Sequence, residues 1–234
     1  MTNKTISIHQ PQYIPWLPYF LKADESDLFI ILDTVDFQKN GLQNRNQINT
    51  ANGPLWLTVP VKQKSKQKII DVQINNNIDW KKKHWSTLLQ NYRKADAFKN
   101  YIDEIENIFS QEWQYLSDLN MLIMTKMFTW LEIDTPILRS SEMSGQGNGS
   151  ELVLNLCLEV GATKYLSGLG GHNYLDEVAF KEASIDIVYK PPELPAFYSQ
   201  QFPKLEFVNN LSALDIIFNC GVEWRKYLKS KIQS

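Results

Sequence analysis

The chain has 234 residues, 43% of them hydrophobic and 21% charged, with a formal net charge of −2 at pH 7. Such a composition is long enough for a substantial core and excludes extensive disorder. It also argues against a general nucleic-acid binder, which needs a marked basic excess. The lysines at 62–68 and 81–84 read as solvated faces.

In chain order, a first strand is expected over 4–9, where Ile6 and Ile8 alternate with polar residues. Pro11, Pro15 and Pro18 then delay regular helix until Tyr19. The continuous apolar run Leu28 to Leu32 suits a strand covered on both faces. Residues 44–49 and 55–61 flank Ala51-Asn52-Gly53-Pro54, the pattern of an antiparallel hairpin, and a further strand is expected over 69–74. Helical periodicity follows over 80–94, with Trp85, Leu88, Leu89 and Tyr92 on one face and Asp79 at the N-cap position. Helices continue over 96–109 and 112–131. The second half alternates: strand 137–141, loop 144–149, helix 150–160 closed by Gly161, strand 163–167, a glycine turn, helix 174–182 and strand 185–189. That alternation is the signature of parallel βαβ units. A last helix is expected over 211–219, capped by Ser212 or Asn210. The fold class is therefore α/β: a mostly parallel sheet flanked by helices, with an antiparallel hairpin and a helical insertion. It is read as one domain over 1–234, with 80–132 a possible helical subdomain.

Cys157 and Cys220 lie in apolar contexts without a CxxC partner and read as structural thiols. His9, His84 and His172 lack zinc spacing, so no metal is expected. No apolar run approaches a membrane span and no signal-peptide pattern opens the chain, which points to the cytoplasm.

Three polar clusters stand at the ends of apolar runs, where α/β sheets present ligand sites. His9 and Gln10 follow the first strand, beside Tyr13; a histidine there suits a general base. Asp33 ends the second run and is read as orienting that base or a substrate amine. The rival reading is a structural ion pair with Lys39 or Arg45. Asn44-Arg45-Asn46 offers an arginine fork between two amides, and Lys39 with Arg45 suits phosphate. Strand alternation puts the amides on one face and Arg45 on the other. The third cluster is Ser167-Gly168-Leu169-Gly170-Gly171, whose glycines let backbone N–H groups approach a phosphate. Its spacing fails both the dinucleotide and the P-loop fingerprints. Tyr174 and Asp176 follow; Asp176 either caps the short helix or acts with the cluster.

The words IHQPQYIPW (8–16), LDTVDFQKN (32–40), NRNQI (44–48), WLTVPV (56–61), KHW (83–85), YLSGLGGHNYLDE (165–177) and NNLSALDIIFNCG (209–221) resemble the WbqC-like family across nearly the whole chain. The family is associated with bacterial O-antigen, capsule and other surface-polysaccharide loci. The resemblance implies a nucleotide-linked sugar substrate and an acyl or aminoacyl transfer to an amino sugar. No cofactor is identified, and the activated acyl or aminoacyl donor is not named by any motif. A nucleotidyl-type transferase and a non-catalytic carbohydrate-binding factor of polysaccharide assembly are the rival functions.

Overall fold

The computed structural model describes residues 3–62 and 64–228. They fall into two compact units: Met1–Gln10, Pro18–Val35 and Asp134–Pro192 form the first, and Pro11–Leu17, Asp36–Ile133 and Glu193–Ser234 the second.

The first unit is built on five strands: β1 (Thr5–His9), β2 (Leu28–Ile31), β7 (Ile137–Arg139), β8 (Lys164–Gly168) and β9 (Asp186–Lys190). They pair in the order β7-β2-β1-β8-β9, and every pairing is parallel. Helices α1 (Leu17–Asp24), α5 (Gly149–Glu159) and α6 (Glu177–Glu182) connect them. Strand alternation sorts β1 between two faces. Ile6 and Ile8 enter a core with Leu152, Val153 and Leu156 of α5 and Phe180 of α6. Ser7 and His9 face α1 instead: Ser26 Oγ donates to Ser7 Oγ at 2.8 Å, and the Tyr19 ring lies 4.7 Å from that of His9. β2 is buried throughout, as a continuous apolar run requires. α5 stops where expected, at Gly161, whose φ of 66° only glycine adopts cheaply.

The chain adds strands on one side of β1 as far as β7 and then crosses to β8 on the other. The order therefore reverses beside β1, and open parallel sheets leave a crevice at the carboxyl ends of the strands flanking such a reversal.

The second unit holds the hairpin β3 (Arg45–Ile48) and β4 (Leu55–Thr58), the two-residue pair β5 (Val61–Lys62) and β6 (Gln73–Ile74), and helices α2 (Trp80–Tyr92), α3 (Ile102–Ser110), α4 (Leu116–Trp130) and α7 (Leu214–Cys220). The hairpin closes through Thr50 and Gly53, which exchange backbone hydrogen bonds of 3.1 and 3.0 Å. Over 69–74 a strand was expected, but Ile69–Asp71 forms a 3₁₀ turn and only Gln73–Ile74 pairs. Ile69 and Val72 are both buried three residues apart, which suits the 3₁₀ period and not the strand period of two. In α2 the buried line is Trp80, His84, Leu88 and Tyr92, while Trp85 and Leu89 sit at its flank. Asp79 occupies the N-cap position but makes no side-chain capping bond. α7 begins at Leu214, later than expected; Ser212 Oγ accepts from Leu214 N–H at 3.2 Å, so it serves the first turn. At the centre of this unit the fully buried Asp215 accepts from Tyr92 Oη (2.6 Å), Tyr198 Oη (2.7 Å) and Gln200 Nε2 (2.9 Å).

Both cysteines are free, and burial pushes each thiol up to about 12, so both are unreactive thiols near neutral pH. Among the described residues no helix is long and apolar enough to cross a membrane.

Candidate functional site

The carboxyl ends of β1 and β8 open into a cavity of about 310 Å³, entirely within the first unit. β1 contributes His9, followed by Gln10; β8 contributes Ser167 and Gly168; Gly170, Gly171 and Tyr174 follow in the turn. The first and third polar clusters of the sequence therefore meet at the strand-order reversal. Lys22 of α1 and Tyr165 of β8, which sequence reasoning did not single out, line it as well. No motif marks Lys22 in the sequence; the structure makes it a half-buried cation between buried Leu21 and buried Ala23.

His9 Nδ1 lies 3.1 Å from the Gln10 carbonyl oxygen. A carbonyl only accepts, so Nδ1 carries the proton and Nε2 presents a lone pair. Burial, assisted by the nearby Lys22 charge, pulls the His9 pKa down to about 3, against the Gln10 carbonyl bond that raises it. The ring is neutral at physiological pH. Lys22 Nζ donates to the Ile8 carbonyl at 3.0 Å, and burial lowers its pKa to about 8. The Tyr165 hydroxyl bonds to Tyr174 and Ser167, and burial holds both tyrosines protonated.

The glycines divide by environment. A Cβ on Gly168 or Gly170 would meet nothing within 4 Å, so the backbone there borders open space. A Cβ on Gly171 would overlap Ser167 Oγ and come within 2.8 Å of Leu175 Cδ1. Gly171→Ala is accordingly expected to lose about 1–3 kcal/mol of unfolding free energy through overpacking. Gly170→Ala should stay within about 0.5 kcal/mol of the parent, as open positions do. Urea denaturation of the two variants checks the contrast, and equal losses would contradict it.

The remaining expected site residues lie elsewhere. Asp33 is fully buried and is not among the cavity-lining residues. Its Oδ2 accepts from Arg139 Nε (2.8 Å) and Ser141 Oγ (2.9 Å), its Oδ1 from Ser140 Oγ and Ser141 N (3.0 Å each). The ion pair foreseen for it exists, but its partner is Arg139 rather than Lys39 or Arg45. Arg139 ends the neighbouring strand β7, an arrangement only the strand order discloses. Asp176 takes the capping alternative, accepting from Val178 N and Ala179 N at 3.1 Å. His172 stacks on Tyr189 and faces Glu177 at 3.6 Å.

Tyr13, Lys39, Asn44, Arg45 and Asn46 belong to the second unit. Tyr13 was expected at a ligand but is fully buried, its hydroxyl 2.8 Å from His84 Nδ1. The hairpin alternates as expected, with Asn44 and Asn46 buried and Arg45 half-buried. The amides, expected to flank an arginine fork at a ligand, spend their donors on backbone: Asn44 Nδ2 on the Val59 carbonyl and Asn46 Nδ2 on the Ile14 carbonyl, both at 2.9 Å. The second bond pins a strained residue. Ile14 has a φ of 40° and precedes Pro15, a conformation that costs a β-branched residue on the order of 1–3 kcal/mol. Arg45 lies over the Trp56 ring, 4.6 Å from its centroid, and Lys39 is exposed.

An uncharacterized protein of Mycobacterium tuberculosis, Rv1507c, is 35% identical over 229 residues, covering 97% of this chain and 98% of that relative. No solved structure matches the chain. The family model of the WbqC-like protein family matches residues 10–227, and the chain belongs to that family.

Proposed function

We propose that the chain is a transferase that joins an acyl or aminoacyl group to the amine of a nucleotide-linked amino sugar, in the building of bacterial surface polysaccharide. What supports this reading is that two polar strand-end clusters, at His9-Gln10 and at Ser167–Gly171, meet at one cavity at the sheet's reversal point. The reaction forms a bond from the sugar nitrogen to the acyl carbon, and the donor's leaving group departs with the electron pair of the bond it loses. The nitrogen sheds one proton. His9 Nε2, left with its lone pair by the Nδ1 bond to the Gln10 carbonyl, is the acceptor for that proton, and the negative charge a nucleotide-linked substrate brings beside Lys22 raises its lowered pKa toward the working range. Tyr174, held protonated, is the donor for the oxygen that gathers charge on the acyl carbon, and Tyr165, whose hydroxyl bonds to Tyr174, holds it in place. The donor is pre-activated.

The test is to incubate the protein with nucleotide-linked amino sugars and a panel of activated acyl and aminoacyl donors, and to follow the sugar's mass. Wild-type protein should give the N-acylated product. His9→Gln should form it roughly 10²–10⁴-fold more slowly, the span of acid–base assistance, with an unchanged melting temperature. Pyrophosphate release from a nucleoside triphosphate with magnesium would instead indicate nucleotidyl transfer. Saturable sugar binding without product, equal in both proteins, would indicate a carbohydrate-binding factor.

A further inference from the structure

We infer that Lys22 is the anion anchor of this cavity, holding a phosphoryl group of the ligand against the glycine turn at 168–171. The inference rests on the proposed substrate class and assigns its charged end a place. Three observations carry it. Among the described residues, Lys22 is the one Lys or Arg lining the cavity, and the lining contains no Asp or Glu. Its ammonium spends one of three N–H bonds on the Ile8 carbonyl, leaving two to point at a ligand. Across the cavity, Gly168 and Gly170 present backbone beside open space, where a phosphate oxygen can approach N–H groups that a side chain would cover.

The electrostatics point the same way. The lowering of the Lys22 pKa has burial as its cause, with no carboxylate opposing it. A partly buried ammonium without a counter-charge is costly, so the cavity is complementary to an anion. The titratable groups facing Lys22 are His9 from β1, Tyr165 from β8 and Tyr174 from the turn; all are neutral near pH 7, and α5 contributes only Val153. The volume, about 310 Å³, is at the small end of ligand sites. It suits a phosphoryl group with an adjoining sugar rather than a whole nucleotide.

The test measures binding of inorganic pyrophosphate, and separately of UDP-glucosamine, to wild-type protein, Lys22→Met and Lys22→Arg by titration calorimetry. The wild type should bind both, and Lys22→Met should weaken each at least tenfold. Raising the pH from 7 to 9.5 should weaken the wild type, because the ammonium loses its proton above about 8. Lys22→Arg should show no such loss, since guanidinium keeps its charge. Failure of the wild type to bind pyrophosphate, or equal binding by Lys22→Met, overturns the inference. The outcomes separate it from the transfer reaction. Pyrophosphate affinity that depends on Lys22 in a protein that makes no amide keeps the anchor and rejects the transferase. Amide formation with unchanged affinity in Lys22→Met does the reverse.

Discussion

Asp33→Ala should lose about 3–5 kcal/mol of unfolding free energy, the usual result of leaving one half of a buried ion pair without the other. The wild-type carboxylate is fully buried and satisfies four donors from Arg139, Ser140 and Ser141. Removing it takes the carboxylate partner from the Arg139 guanidinium and the acceptor from the Ser141 N–H. It also unsettles Ser140 Oγ, which itself accepts from Asp33 N and Thr34 N. Asp33→Asn should fall between wild type and Asp33→Ala, because it keeps one acceptor oxygen but loses the charge that pairs with Arg139. Urea denaturation at pH 7 measures the loss. A double-mutant cycle with Arg139→Met should return a coupling of at least about 1 kcal/mol, as contacting residues do. A variant that loses its activity but under about 1 kcal/mol of stability would return Asp33 to the reaction itself, the role its place after β2 first suggested.

Asp33 shows what local sequence can and cannot disclose. A carboxylate closing an apolar run announced that it would be buried and would need a cation. Which cation depends on β7 pairing with β2, and that pairing joins residues more than one hundred positions apart. Strands β1, β2, β8 and β9 were legible because period-2 alternation, continuous apolar runs and glycine punctuation are local signals. The stretch 69–74 was not, because a β-rich composition there covers a 3₁₀ turn whose buried spacing is three. The same division governs the cavity. His9, Gln10 and the glycine turn were visible as strand-end clusters, and their meeting follows from a strand order that reverses beside β1. Lys22 was hidden because a lysine on a short helix ordinarily reads as surface. Tyr13, Asn44 and Asn46 carry ligand chemistry in their side chains, yet the interior of the second unit uses those atoms to hold a histidine ring, a strand end and a strained proline turn.

Between pH 6.5 and 4 the protein should lose on the order of 3 kcal/mol of stability through His84 alone. His84 is 3% exposed and its pKa is lowered from 6.5 to about 4. Burial is the main cause; the Lys83 charge adds to it, and a hydrogen bond to the Thr58 backbone opposes it. Trp80 and Phe109 pack edge-on against the ring, and the Tyr13 hydroxyl faces Nδ1. Burial keeps that hydroxyl protonated, so it donates to Nδ1, and a proton on Nδ1 would break the bond. In this window the unfolded chain binds a proton that the folded chain refuses. Stability therefore rises with pH up to 6.5 and is lost on acidification, at about 1.4 kcal/mol for each unit of pKa difference. His9 acts with the same sign, so the two must be separated by comparison. His84→Phe should be less stable than wild type at pH 7.5, since it leaves the Tyr13 hydroxyl unpaired. Its stability should then fall about one proton's worth less steeply on acidification, as read from urea unfolding at intervals from pH 7.5 to 4.5. A His84 ring that titrates near 6.5 in the folded protein by NMR, or parallel stability curves for the two proteins, would contradict the buried neutral histidine.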